Sequence, residues 1–403
     1  MSFPRVFVAI PAMDEYASLP LTLSDLSRQT FGDFQVWVCV NQPEAWWQDP
    51  IKRRVCEQNQ RTLQWLHDYT DLSVEVLDCS SPGRGWQGKQ AGVGWARKTL
   101  FNKILEVATE EDLLISLDAD TRIRPAYVAS ILHTFREHPQ WPSLAVPYYH
   151  PLSGDTAMDR ALLRYELYMR SYAINMLRTD TPYQYTALGS AIVMRAGALR
   201  KIGGITPYQS GEDFYLLQKF CKMAPIGTDN AEMVYPATRT SDRVPFGTGP
   251  AILQGMDNAE TSYPIFHHSL WEPVQETIRL LPDLYHDTVH TDFLDFLETQ
   301  FQNRNLWESI RQNVKDLPHF IHAFHEKADG LRILQYVRRR HATHPIPDEQ
   351  ALWENLMLWA PDHLPHWFGS GISFQQLSVP QLNHLRNLLL VVERNLRKKS
   401  ASR

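Results

Sequence analysis

Over the first third of the chain, apolar residues fall in short β-branched runs separated by longer stretches with helical spacing. Arg5–Ile10, Phe34–Val40, Ser73–Cys79 and Leu113–Leu117 read as strands. Leu19–Arg28, Asp49–Asp68, Gln87–Val107 and Pro125–Glu137 read as helices, the last with proline in its first turn. Strands alternating with helices of this length form βαβ units and a mainly parallel sheet. In such a sheet ligands sit at the carboxyl ends of the strands. Chemistry is therefore expected just after Ile10, Val40, Cys79 and Leu117.

From about Leu270 the strand pattern stops. Val274–Leu281, Asp292–Gln302, Leu306–Val314, Phe320–Arg340, Asp348–Leu358 and Val379–Lys398 have amphipathic helical spacing, punctuated by prolines. The expected organisation is an α/β domain over residues 1–269, a mainly parallel sheet flanked by helices. An all-α domain over residues 270–403 follows it.

Composition narrows the classes. With 403 residues, 43% of them hydrophobic, the chain can bury a large core, so disorder is excluded as its dominant state. A net charge of −5 argues against a dedicated nucleic-acid partner. The four cysteines, Cys39, Cys56, Cys79 and Cys221, lack metal-type spacing and read as free buried thiols of a reducing compartment. No apolar run is long enough to cross a bilayer, and the first residues lack a secretory signal pattern, so a cytoplasmic location is expected. The basic cluster Arg394, Arg397, Lys398, Lys399 and Arg403 reads as a solvated helix end, or as a weak peripheral contact with an anionic membrane.

The sharpest chemical feature follows the fourth strand: Asp118-Ala-Asp120. In extended geometry positions i and i+2 face the same way, so both carboxylates can meet one cation. Oxygen-only ligands suit Mg²⁺ or Mn²⁺, which also take phosphate oxygens. The plainer reading is a turn that caps the following helix.

Four segments, in order, resemble the family 2 glycosyltransferases of GT-A (Rossmann-like) fold. Pro11-Ala-Met-Asp14-Glu15 is similar to the family's first strand and loop, with Asp14 in place of the usual asparagine. Asp118-Ala-Asp120 is similar to its D-x-D metal motif. Leu188-Gly189-Ser190, leading on to Gly203-Gly204, is similar to its acceptor-side strand and helix. Gly211-Glu212-Asp213 is similar to its E-D motif, whose Asp is the general base. The resemblance covers residues 4–250. It implies a nonprocessive, inverting, metal-dependent enzyme moving one sugar from a UDP- or GDP-linked donor to an acceptor hydroxyl that the sequence does not name.

On that resemblance Asp118 and Asp120 hold the metal, Asp213 takes the acceptor proton and Glu212 assists it. Pro11, Asp14, Glu15 and Asn41 line the nucleoside pocket. The glycine-rich segment Ser80–Gly94 presents Arg84 and Lys89 to the diphosphate, and the polar segment Thr238–Gly249 presents Arg239 and Arg243. His267 or His268 is the candidate third metal ligand. The second strand ends in Asn41-Gln42-Pro43, where the family has an acidic turn that reads the base. Two rivals remain at this point: a retaining transferase or sugar nucleotidyltransferase on a similar sheet, and a degenerate domain that only binds a partner.

Overall fold

The computed structural model describes residues 4–88, 90–208, 211–240, 247–256 and 263–401. Packing divides the chain into two units, residues 1–153 with 186–250, and residues 154–185 with 251–403. The boundary read near residue 270 thus falls inside the second unit, which also takes a segment from the middle of the chain.

The first unit holds eight strands among the described residues: β1 (Val6–Ala12), β2 (Phe34–Asn41), β3 (Val74–Cys79), β4 (Leu113–Ser116), β5 (Thr121–Arg122), β6 (Ser143–Ala145), β7 (Ile192–Arg195) and β8 (Tyr235–Pro236). Six form one sheet in the order β3-β2-β1-β4-β7-β6, and β5 pairs with β8. β1 runs parallel to β2 and β4, and β2 to β3, while β7 is antiparallel to β4 and β6. Every residue of β1 and β4 is buried, as in a sheet covered on both faces. This is why both segments are near-continuous apolar runs.

The helices of the first two-thirds of the chain that matter below are α1 (Leu19–Ser27), α2 (Arg53–Asp68), α3 (Val93–Val107), α4 (Tyr127–Glu137), α5 (Thr156–Arg178), α6 (Ala196–Lys201) and α7 (Glu212–Met223). α3 packs on β1 and β2. It starts six residues later than its periodicity predicts. Its N-cap, Gly92, has φ 91°, a conformation that ends any helical path from Gln87.

In the second unit α5 lies along the helix Val379–Ala401. Leu163, Leu167, Ile174, Leu352, Leu385 and Leu389 belong to one core cluster there. Five buried charged side chains join the two helices. Arg170 donates to Glu166 at 2.9 Å and to Glu393 at 2.8 Å, Arg386 to Glu166 at 3.3 Å, and Arg397 to Glu393 at 2.7 Å. Arg397, read as part of a solvated basic end, is therefore buried, because Glu393 one turn earlier and the Gln184 carbonyl hold it. Arg403 lies outside the described residues. The single helix read over Phe320–Arg340 is two, Leu317–Lys327 and Gly330–Thr343. Asp329 caps the second by accepting from the Arg332 N–H at 3.1 Å, which the uninterrupted periodicity concealed. Cys39, Cys56, Cys79 and Cys221 form no disulfide; three are buried as expected, while Cys79, at the end of β3, is half-buried. No helix among the described residues is long and apolar enough to cross a membrane.

Candidate active site

The D-x-D turn leaves the sheet where β4 ends. Its geometry is set by α1, which follows the first loop. The buried Thr22 hydroxyl donates to the carbonyls of Ala119 (2.9 Å) and Thr121 (3.2 Å). Asp25 accepts two bonds from Arg122, at 2.6 and 2.8 Å, and one from the Ile123 N–H at 3.1 Å. These contacts fix the backbone on either side of Asp118 and Asp120. The Asp118 side chain is 35% exposed.

One guanidinium gathers the central acids. Arg97, on α3, is 4% exposed. Its Nη2 donates to Asp118 Oδ1 at 2.5 Å and its Nη1 donates to Glu212 Oε1. A Cβ on Gly189 would run into that guanidinium, so glycine in the Leu188-Gly189-Ser190 segment leaves Arg97 room to stand between the two acids. The glycine-rich helix, the D-x-D turn, the Gly189 turn and the E-D motif therefore meet at Arg97. Burial opposes its charge, but Asp118, Glu212 and Asp213 more than offset this and raise its pKa.

Gly211, at φ 76°, lets the chain turn into α7, so Glu212 and Asp213 occupy its first helical turn, where the dipole favours acids. Glu212 is buried and Asp213 half-buried. Burial raises both pKa values; Arg97 opposes the rise, repulsion from Asp118 reinforces it in both, and Asp213 also repels Glu212. Such carboxylates are poised to take a proton nearer neutrality than exposed ones.

Arg97 escaped the sequence reading. It occupies the apolar stripe of α3, whose other buried members include Leu100, Phe101 and Ile104 at i+3, i+4 and i+7. A charge at such a position is the signal that could have found it.

A second arginine serves the other acid of the turn. Arg239 Nη2 lies 2.7 Å from Asp120 Oδ2 and also donates to the buried Glu15. Asp120 also borders a cavity of about 260 Å³, lined by Ser18, Leu21, Arg122, Leu152 and Thr238 among others.

The remaining expected residues fall as follows. Asp14 has φ 58°, donates its N–H to the Asn59 amide oxygen at 2.9 Å, and pairs with Arg54 at 3.0 Å. Asn41 is buried and turned inward. Its Nδ2 donates to the Ala12 and Cys39 carbonyls, at 3.1 and 3.2 Å, and its Oδ1 accepts from the Trp86 indole at 3.3 Å. Pro11 is buried within β1. Arg84 is exposed and pairs with Asp78 at 3.3 Å. His267, in the second unit, contacts Ser269 at 2.7 Å and Glu354 at 2.8 Å, with the His268 ring tilted against it at 42°. Lys89 and Arg243 lie outside the described residues.

Among the described residues no three His, Cys, Asp or Glu side chains gather as a ready metal cage. The donor chemistry still suits a hard divalent ion. Such ions are commonly held by one or two carboxylates, with substrate phosphates completing the shell. The Arg239 guanidinium against Asp120 is a cation already standing at that carboxylate.

No family model matches the chain, and no curated protein matches it. Among solved structures it is similar to S. aureus TarS 1-349, at TM-score 0.41 and 12% identity, over 98% of this chain and 91% of that one. TarS 1-349 in complex with UDP-GlcNAc gives TM-score 0.41 and 15% identity over the same shares, 98% and 91%. The mannosyltransferase PcManGT from Pyrobaculum calidifontis, in complex with GDP-Man and Mn²⁺, gives TM-score 0.37 and 14% identity over 98% and 88%.

Proposed function

We propose that the first unit is the catalytic domain of a glycosyltransferase that moves one sugar from a UDP- or GDP-linked donor to an acceptor hydroxyl, with inversion. The observation that carries this reading is the Arg97 bridge between Asp118 and Glu212, with Asp213 adjoining. The carboxylates that serve the departing diphosphate and the base that serves the acceptor must face one reacting carbon, and one guanidinium touches both motifs.

Asp118 and Asp120 would hold Mg²⁺ or Mn²⁺, which supplies charge compensation for a departing diphosphate. Asp213 Oδ receives the acceptor hydroxyl proton, and its raised pKa suits it to that transfer. Glu212 is locked to Arg97, so it orients the base and leaves the proton to Asp213. One base and no separate nucleophile imply a single displacement. Asn41, with its amide committed to Ala12 and Cys39, shapes the nucleoside end by holding Trp86 in place.

Calorimetric titration with UDP-, GDP- and dTDP-sugars, with and without Mn²⁺, tests the reading. Saturable binding of at least one donor, strengthened by Mn²⁺, is expected. No binding by any member of the panel would remove the proposal.

A further inference from the structure

The pair of acids bridged by Arg239 has a consequence of its own. Glu15 is 5% exposed, so its charge is cut off from bulk water and needs a permanent partner. Asp120 is less enclosed, at 15% of its side chain. Arg239 serves both through Nη2, and burial and the two acids act on it in opposite senses, the acids raising its pKa overall. Its side chain is 34% exposed, against 5% for Arg97. Arg97 is therefore caged, whereas the Arg239 guanidinium has solvent-side room to turn about its long stem.

Resting on the transfer reading above, we infer that Arg239 is an exchangeable counter-cation. It holds the place at Asp120 that a divalent ion takes when donor binds, keeps Glu15 as its anchor, and trades Asp120 for a diphosphate oxygen. Like charges exclude one another at a single carboxylate oxygen, so guanidinium and divalent ion compete for Asp120. A guanidinium freed from Asp120 finds its best replacement in a phosphate, whose oxygens match its planar fork. No covalent bond is made or broken in this exchange; one ion pair is traded for another. Metal and donor binding are thereby coupled, because the ion releases the group that grips the diphosphate, and the diphosphate draws that group off the ion's ligand.

The test uses the full chain and two probes. Free Mn²⁺, followed by its electron paramagnetic resonance signal without nucleotide, measures the competition. UDP and GDP, titrated calorimetrically in saturating Mn²⁺, measure the grip on the diphosphate. Arg239→Gln should bind Mn²⁺ alone about tenfold more tightly than the native chain, and the diphosphate about tenfold more weakly. Arg239→Lys keeps the charge and should restore the low Mn²⁺ affinity while leaving the diphosphate affinity reduced, since an ammonium lacks the fork. Opposite shifts in the glutamine variant, with native circular dichroism, support the exchange. An unchanged or weakened Mn²⁺ affinity overturns it. Failure of UDP and GDP to bind the native chain at all would instead overturn the transfer reading, and the Mn²⁺-alone comparison would still decide whether Arg239 competes at Asp120.

Discussion

Arg97 Nη2 stands 2.5 Å from Asp118 Oδ1, across twenty-one positions of sequence and with the guanidinium almost wholly buried. Replacing Arg97 by Met would strand Glu212 in the interior without its partner. Losing one member of a buried pair costs about 3–5 kcal/mol. Urea unfolding of Arg97→Met should show a loss of that order. Arg97→Lys should lose less stability, yet turnover should fall about 100-fold, because a single ammonium cannot span both acids. Wild-type turnover in the lysine variant would contradict the bridging role.

Gly189 offers a finer probe of the same contact. A methyl there would meet the Arg97 guanidinium at 2.1 Å. Gly189→Ala should therefore cost about 1–3 kcal/mol, as overpacking does. It should also depress turnover more than its stability loss explains. Gly32 meets nothing within 4 Å and has no positive φ, so Gly32→Ala is the matched control and should behave as wild type. Equal effects of the two alanines would dissolve the claim.

Asp213 predicts a pH signature. Burial, the largest influence, lifts its pKa above the ordinary carboxylate value, and Glu212 shifts the same way. A base must be ionised, so kcat/KM should fall on acidification through an apparent pKa above the usual carboxylate range, belonging to the pair. The stability sign is the converse of an ordinary ion-paired acid. A raised folded pKa stabilises below the unfolded value, and that contribution is lost as pH rises through the folded one. Unfolding followed upward from about pH 4 should thus show Asp213→Asn gaining on wild type as pH increases. Asp78 and Asp112, whose pKa values are lowered on balance by the hydrogen bonds they accept against the burial that raises them, contribute the opposite slope at the acid end.

Asp14 tests the departure from the family's asparagine. Its φ of 58° is left-handed, a region that Asp, Asn and Gly tolerate. Asp14→Asn should be neutral in thermal unfolding, while a β-branched Asp14→Val should cost about 1–2 kcal/mol. The exposed Arg54 partner adds little, as surface pairs do. A destabilised asparagine variant would show that the carboxylate, and not the backbone, selects the residue.

The parts of this architecture that sequence makes legible are those where one physical signal dominates. β1 and β4 are buried throughout, so their apolar runs declare a covered sheet, and the D-x-D turn then falls at a strand end. β6 has three residues, too few for any period to register. α5 is hidden for a different reason: its inward face carries Glu166 and Arg170, whose partners on the last helix lie over two hundred positions away. Arg97 is obscure on the same grounds, a charge made welcome in an apolar stripe by acids from other segments. Arg239 reads from sequence as a phosphate ligand, whereas its grip on Glu15 spans 224 positions and no local pattern encodes it.

The most direct trial is nucleoside diphosphate release as water hydrolyses a bound nucleotide sugar, water standing in for the acceptor hydroxyl, compared between wild type and Asp213→Asn. The account predicts retained donor binding with release slowed at least about 100-fold in the variant. Release at the wild-type rate from Asp213→Asn would contradict it.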